Sequence, residues 1–134
     1  MFRFRIKILL LVAVAMLLLA GCREGKQYNV LRPNDVILAF GNSLTRGTGA
    51  EESQSYPAQL QELARRKVIN AGIPGEVTAE GRRRLPAVLD EYDPDLLILC
   101  HGGNDILRRQ NRDSTIANLK AMIEDVIREV RDSR

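Results

Sequence analysis

The chain has 134 residues and a formal net charge of +3 at pH 7, with 45% hydrophobic and 4% aromatic residues. This length is sufficient for one small domain. Residues 1–21 hold three basic and no acidic side chains, so the remainder of the chain is formally neutral. The charge therefore gives no reason to expect a nucleic-acid partner.

The first 21 residues have the organisation of a bacterial secretory signal. Three basic residues precede an apolar stretch of 13 residues, 8–20. This stretch is short for a membrane span but typical of a signal peptide. It ends in Leu-Ala-Gly-Cys at 19–22, which resembles the lipobox of bacterial lipoproteins. We therefore expect removal of residues 1–21 and lipidation of Cys22; an ordinary signal peptide with a cysteine near its cleavage site is the alternative.

Lipidation at Cys22 would place the protein at an extracytoplasmic membrane face, periplasmic or outer-membrane. Each buried methylene of an acyl chain adds about 0.8 kcal/mol to membrane binding. The polar residues 22–33 are expected to form a tether, and residues 34–134 the domain. Because Cys100 is the only other cysteine, and is expected to be a buried thiol, no disulfide is predicted.

Three continuous apolar runs predict buried strands at 35–41, 67–70 and 95–100. Strands that are apolar on both faces are typical of parallel sheets with helices on either side. Residues 42–55, which follow the first run, are predicted to be a polar loop.

Three helices are predicted between and after these strands. The first begins near Tyr56-Pro57. The second extends from about 78 to 92, with a break at Pro86, and the third begins near Ser114. Their predicted apolar faces recur at three- and four-residue spacing: Leu60, Leu63 and Ala64; Leu85, Val88 and Leu89; Ile116, Leu119, Ile123, Val126, Ile127 and Val130. The alternating order predicts an α/β fold with a doubly wound parallel sheet.

Each predicted strand ends in a short polar motif. These motifs are Gly-Asn-Ser at 41–43, Asn-Ala-Gly at 70–72 and Gly-Gly-Asn-Asp at 102–105. Ligand sites of open parallel sheets lie at the carboxyl ends of the strands. We therefore expect these three motifs to converge on one site.

In sequence and spacing, these motifs resemble the first three blocks of the SGNH (GDSL-type) hydrolases, and within them the bacterial thioesterase/lysophospholipase/arylesterase branch. The resemblance covers nearly all of residues 34–134. It implies a flavodoxin-like three-layer α/β/α fold. It also implies hydrolysis of small carboxylic esters or thioesters through an acyl-enzyme, with no metal or organic cofactor.

The resemblance also implies residue roles. Ser43 matches the nucleophile. The backbone N–H groups of Ser43 and Gly72 and the side-chain amide of Asn104 match the oxyanion hole. Asn42 stands where the family motif has aspartate, and we expect it to serve as a turn residue. The alternative for Ser43 is a turn serine that caps a helix, which the three co-occurring motifs disfavour, and Asp105 is expected to be structural.

The acid and base of the family's catalytic triad lie in a later Asp-x-x-His block, and the sequence contains no such block. We therefore expect the chain to be the N-terminal part of an SGNH domain, truncated after the third strand and its helix and weakly active alone. The third strand would then present an open apolar edge. His101, the single histidine, could be considered as a base; a strand-end histidine that bridges loop groups or lines the pocket is the preferred interpretation.

Two other functional classes remain open. One is a non-catalytic lipoprotein that binds acyl or carbohydrate ligands through a retained oxyanion pocket. Nucleotide binding is disfavoured, because no glycine-rich phosphate loop follows the first strand. The basic run Arg82-Arg83-Arg84 is predicted to be a solvated helix face.

Overall fold

The computed structural model describes residues 30–132. The predicted signal peptide, the lipidation site Cys22 and most of the predicted tether lie outside these residues. From Leu31 onward, the described residues form a compact unit. Within the described part of the chain, no helix combines the length and apolarity that membrane crossing requires.

Three parallel strands form the sheet, in the order β2-β1-β3. They are β1 (Ile37–Gly41), β2 (Val68–Gly72) and β3 (Leu96–Cys100). At the carboxyl edge, Gly41 pairs with Gly72 on one side and with Cys100 on the other. The strands therefore end together, as the predicted parallel sheet requires.

Five helices and a 3₁₀ turn connect and follow the strands. They are α1 (Ser43–Arg46), the 3₁₀ turn (Glu52–Gln54), α2 (Tyr56–Ala64), α3 (Thr78–Tyr92), α4 (Gly103–Leu107) and α5 (Arg112–Asp132). The prediction of α2 and α3 is confirmed, and α5 begins two residues before the predicted start. The predicted loop at 42–55 is wrong in part, because α1 and the 3₁₀ turn lie within it. Helices this short carry no measurable apolar period.

The core lies between the sheet and helices α3 and α5. On this face, alternate residues of each strand pack with the inward residues of both helices: Leu38, Phe40, Ile69, Ala71, Leu97, Leu99, Leu85, Val88, Leu89, Leu119, Met122 and Val126. The intervening residues Ile37 and Ala39 of β1 are buried as well, and α1 and α2 contact β2 on that side. The arrangement is thus three-layered, with β1 covered on both faces.

The predicted break at Pro86 is wrong, since α3 continues through it from Thr78 to Tyr92. Pro86 cannot donate to the carbonyl of Arg82, one turn earlier. Its ring lies on the exposed side of the helix, where water can reach that carbonyl. The buried residues Leu85, Val88 and Leu89 hold the helix on the sheet across this position.

Two predicted apolar faces differ from the structure. Leu63 is 82% exposed, so the inward face of α2 is narrower than predicted. On α5, Met122 is completely buried, whereas Ile116 and Ile123 are 38% and 50% exposed. The helix packs against α3 along one line of side chains rather than with its whole apolar surface. The side chain of Val130 lies outside the described part of the structure.

Candidate active site

Ser43 is the first residue of α1, directly beyond the carboxyl end of β1. The helix begins there because the side chain of the buried Asn42 accepts a hydrogen bond from the N–H of Leu44, at 3.0 Å. It ends at Gly47, whose positive φ of 86° suits glycine. Asn42 therefore acts as the predicted turn residue, and Ser43, half-buried, lies at the positive end of a short helix.

Gly72 ends β2 against the backbone of α1. A Cβ at this position would come 2.7 Å from the carbonyl carbon of Thr45 and would also collide with the N–H of Arg46. Only glycine fits such a close approach of two main chains. This steric requirement holds whatever the chemical role of Gly72.

The N–H of Gly72 has a local partner. It donates to Oδ1 of Asn70 at 3.1 Å, while Nδ2 of Asn70 contacts the carbonyl of Arg46 at 3.4 Å. The predicted oxyanion donor is thus occupied by a side chain two residues earlier. It could serve an oxyanion by sharing its hydrogen or by displacing the Asn70 amide.

Asn104 lies in α4, after β3, and its side chain is fixed from the loop after β2. Its Nδ2 donates to the main-chain carbonyl of Glu76 at 2.9 Å. A carbonyl oxygen can only accept, so the NH₂ end of the amide faces Glu76. One of the two Nδ2 hydrogens is used in this bond, and the second remains for another acceptor.

Helix α1 links the three predicted site segments. Its last residues contact Gly72. Asn42, which precedes it, lies 3.6 Å from a Cβ placed on Gly103, next to Asn104. The three strands end at the same level, and these two contacts add to that register. Together they bring Ser43, Gly72 and Asn104 to the same edge of the sheet.

A buried ionic cluster lies on the α3 side of this edge. Arg84 binds both carboxylate oxygens of Glu76, at 2.9 and 2.6 Å, and also donates to the carbonyl of Ala71 at 3.1 Å. Nε2 of His101 lies 3.0 Å from the same carboxylate. The Arg84 guanidinium is 4.1 Å from the centre of the Phe40 ring. The prediction that Arg84 is solvated is therefore wrong, while Arg82 and Arg83 are exposed.

His101 bridges β3 to the loop at Glu76, as the preferred interpretation predicted. Its side chain is completely inaccessible and packs beside Phe40, with ring centres 5.6 Å apart. Nε2 is engaged by Glu76, and Nδ1 is buried without a hydrogen-bond partner among the described residues. Neither ring nitrogen is therefore hydrogen-bonded to Ser43.

Asp105 joins α4 to the starts of α3 and α5. Its carboxylate accepts from the N–H and hydroxyl of Thr78, at 2.9 and 2.6 Å, and from the hydroxyl of Thr115 at 3.3 Å. Its structural role is thus as expected. A cavity of about 290 Å³ lies beside it, lined mainly by polar side chains of α3 and α5, and it includes neither Ser43 nor Asn104.

Thr45 and Tyr56 link α1 to the start of α2 through their hydroxyl groups. The fully buried Thr45 hydroxyl lies 3.3 Å from the Tyr56 hydroxyl. Burial raises the pKa of Tyr56 above its ordinary value, so the phenol is neutral at physiological pH.

Cys100, at the end of β3, is a free thiol and is only half-buried, not fully buried as predicted. The described residues contain no cluster of three or more histidine, cysteine or acidic side chains that could hold a metal.

The sequence matches the GDSL-like lipase/acylhydrolase family over residues 39–133. It is 35% identical over 94 residues to thioesterase 1/protease 1/lysophospholipase L1 of Escherichia coli (strain K12), covering 69% of this chain and 45% of that protein. It is 32% identical over 94 residues to the uncharacterized lipoprotein YqeF of Bacillus subtilis (strain 168), covering 64% and 35%.

Among solved structures, the fold is similar to AlinE4, an SGNH-hydrolase family esterase. The TM-score is 0.69 at 39% identity, covering 74% of this chain and 56% of AlinE4. The chain belongs to the GDSL-like lipase/acylhydrolase family, and its parallel α/β fold is that of the SGNH hydrolases. It spans about half the length of the relatives that it matches.

Glu76 and Arg84 are the site residues that sequence analysis missed. Glu76 lies in a loop without periodicity, and Arg84 is one of three consecutive arginines. The available signal was the glutamate itself, an acidic residue close behind the Asn-Ala-Gly motif and next to the start of a helix.

Proposed function

We propose that this chain carries the nucleophile and oxyanion-binding part of a serine ester hydrolase. The observation that supports this most is the Asn104 amide, whose NH₂ is oriented by Glu76 with one hydrogen to spare. Ser43 at the start of α1 and Gly72 against the end of the same helix lie at the same sheet edge. This arrangement fits the nucleophile and oxyanion roles that the three sequence blocks imply.

In the proposed reaction, the Ser43 hydroxyl attacks the acyl carbon of a small ester or thioester. The carbonyl oxygen gains negative charge, stabilised by the N–H of Ser43, the N–H of Gly72 and the Asn104 amide. The tetrahedral intermediate then collapses, releasing an alcohol or thiol and leaving an acyl-enzyme that water hydrolyses. For Gly72 to take part, Asn70 must share or release its N–H.

The Ser43 hydroxyl must lose its proton as it attacks, and the departing alcohol or thiol must gain one; without a positioned base, solvent water carries this proton. His101 is bound to Glu76, and the sequence has no Asp-x-x-His block. Oxyanion stabilisation and binding alone give roughly 10³–10⁴ over the uncatalysed reaction in enzymes stripped of their triad. We therefore propose slow turnover for the chain by itself.

Substrate class and location belong to the same proposal. The thioesterase and lysophospholipase names of the E. coli relative support acyl thioesters and esters as substrates. Lipid anchoring through Cys22 at an extracytoplasmic membrane face is supported by the lipobox-like sequence at 19–22 and by similarity to a lipoprotein.

Hydrolysis of p-nitrophenyl acetate by the full chain tests the proposal. We expect slow turnover that is lost in Ser43→Ala and retained in Ser53→Ala, an exposed serine of the 3₁₀ turn. Equal p-nitrophenol release by the wild-type chain and Ser43→Ala would contradict the hydrolase proposal. Rapid Ser43-dependent turnover would contradict the expectation of weak activity.

The engagement of His101 by Glu76 favours a second candidate, a non-catalytic acyl- or carbohydrate-binding lipoprotein. The two candidates differ in the fate of the ligand. Binding of a fatty-acyl thioester without Ser43-dependent hydrolysis, measured by calorimetry and thiol release, would favour the binding protein.

A further inference from the structure

We infer that Glu76, clamped by Arg84 and His101, is the positioning residue that sets the orientation of the Asn104 amide. The inference rests on the proposed function, in which that amide binds the oxyanion. The structural basis is a continuous set of contacts from a buried carboxylate to the Nδ2 atom of Asn104.

The first step is the rigidity of the Glu76 side chain. Its exposed fraction is 5%, and both carboxylate oxygens are bound by Arg84. The His101 imidazole also contacts Oε2, at 3.0 Å. Charge-assisted bidentate contacts of this kind are strong and directional, so the side chain is held in one place.

The second step is the attachment of this clamp to the sheet. Arg84 also binds the carbonyl of Ala71 in β2, and His101 follows β3 directly. The guanidinium lies over the ring of Phe40 in β1. Although Glu76 belongs to a loop, the side chains that bind it connect it to all three strands.

The third step is the transfer from side chain to main chain. The loop makes a turn in which the N–H of Glu76 donates to the carbonyl of Ile73 at 3.2 Å, with Gly75 at a positive φ of 79°. A side chain fixed at Glu76 leaves the carbonyl of that residue little freedom to rotate. That carbonyl accepts a hydrogen bond from Nδ2 of Asn104, so the second hydrogen of the amide points in a defined direction.

Preorganised donors are effective because they need no reorientation when charge develops. Loosening the clamp should therefore reduce the value of the Asn104 donor without removing it. Arg84→Lys keeps the positive charge but cannot make the bidentate contact. Glu76→Gln keeps the main-chain carbonyl and the side-chain size but weakens the clamp. Arg83→Lys, at an exposed neighbouring position of α3, is the matched control.

The primary experiment is NMR of the full chain with ¹⁵N-labelled asparagine. The Asn104 side-chain signals are assigned by their loss in Asn104→Ala. In the wild type and Arg83→Lys, we expect slow solvent exchange of the amide hydrogen bound to Glu76. In Arg84→Lys and Glu76→Gln, we expect about tenfold faster exchange and a shifted signal, as for one weakened hydrogen bond. His101→Phe, which keeps the ring but removes the contact with Oε2, should give a smaller effect.

Urea unfolding of the same variants separates positioning from stability. If Arg84→Lys is less stable but the Asn104 amide signals are unchanged, Arg84 is only structural and the inference is overturned. The inference is also overturned if Arg83→Lys and Arg84→Lys shift the amide equally. Changes confined to Arg84→Lys and Glu76→Gln support it.

The kinetic experiment tests the link to catalysis through Ser43-dependent hydrolysis of p-nitrophenyl acetate. Removal of an oxyanion donor lowers kcat by roughly 10²–10³. Arg84→Lys and Glu76→Gln should lower kcat by less than Asn104→Ala does, with KM unchanged, and should add no further loss to Asn104→Ala. If the amide is released but kcat is unaffected, the oxyanion role of Asn104 fails, while the positioning by Glu76 stands.

Discussion

The carboxylate of Asp105 accepts two hydrogen bonds from Thr78, one from the N–H and one from the hydroxyl. The two residues are far apart in sequence, and both are buried. Together with Thr115, they join the N-termini of α3 and α5 to α4, the helix that carries Asn104. A carboxylate at two helix N-termini also interacts favourably with their dipoles.

Asp105→Asn should therefore destabilise the domain. The amide loses the charge and turns one acceptor into a donor that faces the Thr78 groups. Because hydrogen bonds to charged groups contribute about 1.5–3 kcal/mol each, we expect a loss of about 2–3 kcal/mol in the free energy of unfolding, measured with urea. Asp113→Asn, exposed in the first turn of α5, should change it by less than about 1 kcal/mol. Similar losses in both variants would contradict the role assigned to Asp105.

Gly81 gives a second prediction, because it lies against the imidazole of His101. A Cβ on Gly81 would come 2.7 Å from Nε2 and 3.0 Å from Cε1. The ring is fully buried, so it can move only by breaking its contact with Glu76. Glycine to alanine in a helix normally gains up to about 1 kcal/mol. Here we expect a net loss of about 1–3 kcal/mol from overpacking.

Urea unfolding of Gly81→Ala tests this against Gly103→Ala, another helical glycine. At Gly103 the new methyl group would lie 3.6 Å from Asn42, an ordinary contact. Gly103→Ala should therefore be neutral or stabilising. A Gly81→Ala variant as stable as the wild type would mean that the His101 ring is more mobile than its burial indicates.

The partly buried phenol of Tyr56 predicts a pH dependence. Burial raises its pKa in the folded protein above the ordinary value of 10.0. The folded state thus holds the proton of Tyr56 more tightly, so the contribution of this group to stability is constant below about pH 10 and is lost as the pH rises past the unfolded value. Tyr56→Phe should unfold in urea with a shallower decline between about pH 9 and 11. An unchanged decline would show that Tyr56 is not the group responsible.

Much of the fold could be predicted because its signals are local. Continuous apolar runs gave the three strands, and the spacing of Leu85, Val88 and Leu89 gave α3. The polar motifs that end the strands predicted the edge at which Ser43, Gly72 and Asn104 lie. Each of these patterns needs only neighbouring residues to be recognised.

The remaining features depend on contacts between distant segments. Glu76, Arg84 and His101 become a cluster only when the loop after β2, helix α3 and the end of β3 meet. Arg83 and Arg84 carry the same charge, so the sequence does not show which of them forms an ion pair. The hydrogen bond from the N–H of Gly72 to the Asn70 side chain was not predicted either, because only Gly72 of that motif was assigned a role.

Helix α5 shows that apolar periodicity does not identify the most deeply buried residue, because the adjacent residues Met122 and Ile123 differ clearly in burial. Met122 is fully buried in the core, while Ile123 is 50% exposed. Met122→Ala should lower the free energy of unfolding by about 2–5 kcal/mol through lost burial and the cavity left behind. Ile123→Ala should cost less than about 1.5 kcal/mol, since its side chain buries only part of its surface. Chemical denaturation of both variants in the full chain compares them directly. A larger loss for Ile123→Ala would mean that α5 is rotated on the sheet relative to the arrangement described here.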